Sequence, residues 1–316
     1  MGKDKLQNGI NQCNMSGSYK TQYNHKVEST RFVSQLRENG FGVQKWSNID
    51  DKHVQSVVDS WRDNGLTDKT IKEYLSGVRA VAESYGNDKI SNSNADFGLE
   101  KNTSCPKNVD LSCAQTKYES AIDALNKSND INEQRLSVQM QYMRELGLRA
   151  EEARKLDAIH AERQKSPNGQ QYIRISDGTK GGKERWVPVS KKAEKALEKG
   201  KELQERYNAK NTMDPNKNER QWSQYCYNTA SKKGFTASNR LNFHSLRHAF
   251  AHDLFREKSG FDPRVKFDGQ QAFEQNAHRA AGQGWKEKYE TACRAVEGAL
   301  GHGNGRSDIR GCYIGR

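Results

Sequence analysis

Apolar residues are scarce in this chain. They make up only 33% of its 316 positions, and no stretch approaches the roughly 18 consecutive apolar residues that a helix needs to cross a bilayer. Residues Met1 to Asn24 are polar and lack the apolar centre of a secretory signal. The expectation is a soluble, cytoplasmic protein with no membrane partner. Paired cysteines are also missing. Cys13, Cys105, Cys113, Cys226, Cys293 and Cys312 are scattered with no CxxC spacing, which speaks against a zinc knuckle or a disulfide framework and fits free thiols in a reducing compartment. Acidic side chains fall short of basic ones, 40 against 52, leaving a formal charge of +12. Such an excess suits a polyanionic partner, nucleic acid or an anionic membrane surface, and charge alone fits a merely soluble basic protein equally well.

The length allows two domains. Residues 1–27 mix Gly, Asn, Ser, Gln and Lys without an apolar period and read as a flexible tail. From Glu28 the pattern turns helical. Phe32, Val33 and Leu36 share one face, Val54, Val57, Val58 and Trp61 share another, and Ile71, Leu75, Val78, Val81 and Ala82 mark a third helix opened by Gly65-Leu66-Thr67. Residues 28–86 therefore read as a small helical domain. Residues 87–113, rich in Asn, Ser, Asp and Lys, read as a linker.

Residues 114–316 form the larger expected domain, mainly α with a small β-hairpin. Helical patterns at Ala114 to Leu125 and Asn132 to Leu146 give way to Gln171–Ser176 and Arg185–Val189, which alternate apolar and polar residues around a glycine-rich turn. Helical patterns then resume from Lys191.

Four segments stand out together: Gly147-Leu148-Arg149-Ala150-Glu151-Glu152, the turn from Gly178 to Arg185, His244-Ser245-Leu246-Arg247-His248, and Leu300-Gly301-His302 followed by Tyr313. Singly they are weak signals, since an RxxE helix or a lysine-bearing hairpin is usually a solvated surface. As an ordered set, the series resembles the catalytic domain of the tyrosine recombinase (phage integrase) family. The preceding helices, with Gly65-Leu66-Thr67-Asp68-Lys69-Thr70-Ile71, are similar to that family's SAM-like core-binding domain. The implied architecture is a helical DNA-binding domain followed by an α+β catalytic domain.

The resemblance implies a DNA breaking and rejoining enzyme that needs no cofactor or metal. Tyr313 would be the nucleophile, forming a 3′-phosphotyrosyl intermediate, and Arg149, His244, Arg247 and His302 would hold the scissile phosphate. Lys180 would protonate the leaving 5′-hydroxyl, with Lys183 as the competing candidate on the same turn. Glu152 and His248 would support them. The implied partners are double-stranded attachment-site DNA and further copies of the chain in a tetramer, with a directionality factor or a host DNA-bending protein as an accessory.

Elementary chemistry agrees with these types. Phosphoryl transfer loads charge on nonbridging oxygens, so fixed cationic forks are needed around one phosphate. A phenol ordinarily ionises near pH 10, so an attacking tyrosine needs donors or a base beside it. His244 and Arg247, three apart, share a helix face. His248 and His252 have a metal-compatible spacing but no HExxH context, and packing or a supporting hydrogen bond is the better reading.

Three departures from the family stand out. The stretch from Ser259 to about Tyr289 looks inserted and is a candidate subunit contact. The Gly-rich run between His302 and Tyr313 is slightly long. Only Ile314, Gly315 and Arg316 follow Tyr313, so the C-terminal helix that many relatives exchange is expected to be absent. The rival readings are a type IB topoisomerase-like enzyme or resolvase with the same chemistry, and a catalytically silent DNA-binding derivative.

Overall fold

The computed structural model describes residues 4–99, 108–236, 241–302 and 307–315. It divides into two compact units, Met1–Thr103 and Ser104–Arg316.

The first unit contains α1 (Lys5–Gln12), α2 (Tyr19–Glu38), α3 (Asp51–Asp63) and α4 (Asp68–Ser84). Each apolar set read from the sequence is buried: Phe32, Val33 and Leu36 on α2, Val54, Val57, Val58 and Trp61 on α3, and Ile71, Leu75, Val78, Val81 and Ala82 on α4. Caps fix where the helices begin. Asp50 and His53 form a reciprocal capping box at α3, and Thr67 caps α4. At Gly77 an added Cβ would lie 3.0 Å from the His25 Cα, so α2 and α4 cross at a spot that admits only glycine without rearrangement.

The tail expected over residues 1–27 is corrected. Met1 to Lys3 lie outside the described residues, but α1 and the first turns of α2 are ordered helix. Leu6 and Ile10, four apart on one face, are buried in the core of this unit. Asp4 caps α1 through the Leu6 amide (2.8 Å) and also pairs with Arg37 (2.6 Å). Two apolar residues are too few to register as a period, and the partners that complete their burial are distant in sequence: Trp46 Nε1 donates to the Leu6 carbonyl at 2.9 Å. The expected linker over 87–113 is corrected in the same way. Ile90, Phe97 and Leu99 are buried in the first unit, residues 100–107 lie outside the described residues, and the Cys113 amide donates to the Ser245 carbonyl in the second unit (3.0 Å).

In the second unit α5 (Gln115–Asn126), α6 (Ile131–Glu145) and α7 (Ala150–Lys155) precede a sheet of β1 (Arg163–Lys165), β2 (Gln171–Ile175) and β3 (Arg185–Pro188). Then come α8 (Lys191–Arg206), α9 (Glu219–Lys232), α10 (Phe243–Ser259), α11 (Gln270–Ala281), α12 (Trp285–Ala299) and α13 (Ser307–Tyr313). The sheet is antiparallel in the order β1-β2-β3, with Ile173 opposite Val187 and Ile175 opposite Arg185. The sequence reading gave only β2 and β3. All three residues of β1 are exposed, so it carries no alternation to read.

Helix α6 runs through the core and is buried from Arg135 to Arg144, so its polar residues need internal partners. Gln139 accepts from Trp222 Nε1 (3.1 Å), and Arg144 reaches Asp253 (2.5 Å) and Gln115 (2.9 Å). Within the 259–289 stretch, Phe261, Phe273, Ala277 and Trp285 are buried in the main core, and Val265 is buried as well.

Removing a buried side chain of this size costs about 2–5 kcal/mol. Leu6→Ala is therefore expected to lower the unfolding midpoint of the first unit, followed by tryptophan fluorescence in denaturant. An unchanged midpoint would mean that α1 is detached in solution.

Candidate functional site

Helix α10, the turn after α12 and the start of α7 converge near Tyr313 at the end of α13. Helix α10 begins at an Asn242–Ser245 capping box, which sets the direction of its first turn. His244, Arg247 and His248 project from that turn. Helix α12 ends at Ala299, and the following Leu300-Gly301-His302 brings His302 in from the side. Arg149 stands at the N-cap of α7. Tyr313 ends α13 and is only 5% exposed.

The Tyr313 hydroxyl lies 3.0 Å from His244 Nε2 and 3.2 Å from Arg247 Nε. Arginine can only donate, so the hydroxyl accepts from Arg247 and its own proton is free to point to His244. Burial first, then the cations Arg247 and Arg149, hold the His244 imidazolium down to about 4. The ring is thus neutral at physiological pH and can accept that proton. His248 stacks on the Tyr313 ring, centroids 4.3 Å apart at 27°, and His302 meets it edge-on at 5.5 Å.

Arg247 is almost wholly buried, and its guanidinium is held on all three nitrogens. Nη1 donates to the Gly147 carbonyl, and Nη2 donates to the Leu300 carbonyl (2.5 Å) and to His302 Nε2 (3.0 Å). His302 Nε2 is therefore an acceptor here, which puts its proton on Nδ1. Gly147 is required at its position: φ is +61°, and a Cβ would sit 2.3 Å from the Phe250 ring. Without that glycine the carbonyl facing Arg247 could not be presented.

Glu152 joins the pieces. Its carboxylate is fully buried and accepts from the Arg149 amide (2.7 Å), Arg149 Nη1 (2.7 Å), Arg185 Nη1 (2.9 Å) and Arg185 Nη2 (2.7 Å). Burial alone would push the carboxyl up. The Arg185 fork, the Arg149 amide and the nearby Arg247 outweigh it and hold the group at about 2. Arg149 keeps its side chain 28% exposed, so the edge not given to Glu152 faces solvent.

The structure thus brings Arg149, Glu152, His244, Arg247, His248, His302 and Tyr313 together. Lys180 and Lys183 sit on the exposed β2–β3 turn, and among the described residues neither hydrogen-bonds to the others. That turn is nevertheless seated beside α7: a Cβ on Gly178, where φ is +73°, would lie 3.0 Å from the Glu151 carbonyl. His248 and His252 both turn toward Tyr313, the latter through a 2.7 Å contact of Nε2 with the Tyr313 carbonyl. A carbonyl can only accept, so His252 carries its proton on Nε2.

Two features escaped the sequence reading. Arg185 is one, and the parity of β3 could have exposed it, because Arg185, Val187 and Val189 fall on the same buried face. The other is the anchorage of the residues after Tyr313. The Val265 amide donates to the Ile314 carbonyl (3.0 Å), and the Tyr289 hydroxyl reaches the Gly315 carbonyl (3.3 Å). This tie crosses a long sequence gap and leaves no local pattern. Residues 303–306 of the glycine-rich run before Tyr313 lie outside the described residues.

Comparison with known proteins gives a consistent assignment. Residues 107–253 match the Integrase family model, and residues 4–91 match the Phage integrase, N-terminal family model. No curated protein matches the chain in sequence. Among solved structures, the XerH site-specific recombinase bound to difH substrate is similar at 17% identity and a TM-score of 0.56, covering 92% of this chain and 76% of that one. The Tn1549 transposon integrase in complex with a circular intermediate DNA matches at 14% identity and a TM-score of 0.56, over 98% and 95% of the two chains. A lambda integrase tetramer bound to a Holliday junction matches at 13% and 0.53, over 98% and 75%. At these identities the structural likeness concerns the fold.

The ionised state of Glu152 makes a pH-dependent contribution to stability. A carboxyl held at about 2 in the fold, against an ordinary value of about 4.3, contributes fully above roughly pH 4.5 and loses its contribution as the pH falls toward 2. The Tm gap between wild type and Glu152→Gln is expected to be constant from neutral pH down to about 5 and to narrow on further acidification. Calorimetry across that range checks it, and a gap unchanged down to pH 3 would mean that the buried carboxylate does not stabilise the fold as an ion.

Proposed function

The chain belongs to the phage integrase family of tyrosine recombinases, the DNA breaking and rejoining enzymes, and from that premise we propose that Tyr313 is the nucleophile of a site-specific recombination reaction on double-stranded DNA. The observation that carries the reading is the Tyr313 hydroxyl held at hydrogen-bond distance from both His244 Nε2 and Arg247 Nε.

In this mechanism the hydroxyl oxygen attacks phosphorus while His244, neutral and hydrogen-bonded to it, receives or relays its proton. The bond from phosphorus to the 5′ oxygen breaks, and a 3′-phosphotyrosyl link forms. The departing oxygen takes a proton from a lysine of the β2–β3 turn, Lys180 in the family's pattern, with Lys183 as its neighbour on the same turn. Arg149 offers its exposed edge to a nonbridging oxygen. Arg247 offers Nε, the donor now given to the Tyr313 hydroxyl. His302 is paired to Arg247 in the DNA-free state and would exchange that partner for a phosphate oxygen. These donors are worth most where charge develops, because they are fixed before the phosphate arrives.

The covalent link conserves the energy of the cleaved bond, so the 5′-hydroxyl of a second strand can displace Tyr313 and reseal the DNA without nucleotide hydrolysis. Strand exchange between two duplexes implies four copies of the chain on DNA, a reading supported by the lambda integrase tetramer bound to a Holliday junction. Integration or excision of a phage or other mobile element, with a directionality factor or host DNA-bending protein, is the corresponding biological role. It places the enzyme with bacterial DNA in the cytoplasm. No helix among the described residues is long and apolar enough to cross a membrane.

The test is trapping on a nicked duplex carrying the element's own junction, resolved on a denaturing gel in EDTA. Wild type is expected to form a covalent adduct that maps to Tyr313, and Tyr313→Phe to bind DNA without forming one. Arg149→Ala is expected to slow adduct formation by about 10²-fold or more, the loss of one fixed donor to the transition state. Adduct formation by Tyr313→Phe at the wild-type rate would overturn the assignment.

A further inference from the structure

Three arginines meet at Glu152: Arg149 keeps an exposed edge, Arg247 donates to the Tyr313 hydroxyl, and Arg185 is turned to Glu152 and the end of α12. Arg185 is 6% exposed and opens β3, five residues after Lys180 on the same hairpin. Its guanidinium is used on three sides. Nη1 and Nη2 take the two oxygens of Glu152 at 2.9 and 2.7 Å, and Nε donates to the Ala299 carbonyl at 2.7 Å. Glu152 passes the constraint to Arg149 through its amide and Nη1, both at 2.7 Å. Ala299 is the last residue of α12, three before His302. Gly301 lies directly over Arg185: φ there is +65°, and a Cβ would approach Arg185 Cδ to 2.8 Å.

From this geometry we infer that Arg185 is a positioning residue for the cleavage reaction, fixing Arg149 through Glu152 and the His302 turn through the Ala299 carbonyl. The inference rests on the recombinase reading above. The chemistry requires an arginine specifically. A planar fork satisfies both oxygens of one buried carboxylate and still has Nε pointing sideways, whereas a lysine ammonium can hold the charge but cannot hold that plane. The arrangement also explains how a buried carboxylate coexists with three cations: Glu152 neutralises part of the positive field while leaving one edge of Arg149 open. Without Arg185, Glu152 would draw Arg149 inward as its main partner, and the end of α12 would lose its tie to the sheet.

The role can be separated from plain folding by changing the charge of the scissile phosphate. A methylphosphonate at that position removes one nonbridging negative charge, so it depends less on the arginines that neutralise the phosphate. Arg185→Gln, Arg185→Lys, Glu152→Gln and the double variant Glu152→Gln/Arg185→Gln are compared with wild type for DNA binding and for cleavage of phosphate and methylphosphonate suicide duplexes. Arg185→Lys keeps a cation beside Glu152 and keeps the test available if the glutamine variant fails to fold. Binding is expected to stay within about threefold of wild type while phosphate cleavage falls by about 10-fold for Lys and 10²-fold for Gln. On methylphosphonate the same deficits are expected to shrink by about tenfold, and the double variant to be little slower than the slower single one, as for residues acting through one contact. Equal deficits on both substrates, or multiplicative losses in the double variant, would overturn the positioning role. Failure of wild type itself to cleave the phosphate duplex would instead overturn the recombinase reading.

Discussion

A single buried carboxylate organises the second unit's functional face. Glu152 has no access to water, so its charge is tolerable only because four N–H donors from Arg149 and Arg185 converge on its two oxygens. Those donors come from a helix start and a strand start, and the strand arginine is bonded in turn to the end of another helix. Such an ion cluster adds little net stability compared with an apolar core of the same volume. Its value lies in direction, since every partner must stay at its angle or leave a buried charge unpaired.

Glycines at the turns allow the close approaches that this cluster needs. Gly147, Gly178 and Gly301 all have positive φ, and each would carry a Cβ into a neighbour that belongs to the site: the Phe250 ring, the α7 backbone and the Arg185 side chain respectively. Their place in the motifs is therefore steric. A side chain at any of them would displace an arginine, a carbonyl that binds one, or the lysine-bearing hairpin.

Much of this was legible from the sequence, for reasons that differ by residue. The helices of the first unit announced themselves because one face of each is buried and the other is wet. The hairpin did so because Ile173, Ile175 and Val187 alternate with polar residues. The convergence of Arg149, His244, Arg247, His302 and Tyr313 was legible only through the ordered motif set, because no periodicity predicts contact between residues so distant in the chain. The reading failed where burial is completed by distant partners. Leu6 and Ile10 make no local period, and Trp46, which donates to the Leu6 carbonyl, is far along the chain. The 259–289 stretch, read as inserted from its length and polar composition, gave no sign of its packing, yet Phe261, Phe273, Trp285 and Tyr289 pack together with Phe255. Helix α6 has almost no amphipathic contrast because all its sides are covered.

The main-chain ties around Tyr313 bear on how a DNA end would be held once joined to it. The Tyr313 carbonyl is bonded to His252 and the Ile314 carbonyl to the Val265 amide, within the same chain. A strand attached to the phenolic oxygen would hang from a fixed backbone, with only the side-chain torsions of one tyrosine as its leash. Such an end would wait in place for an incoming strand, its position set by the protein's main chain rather than by the DNA.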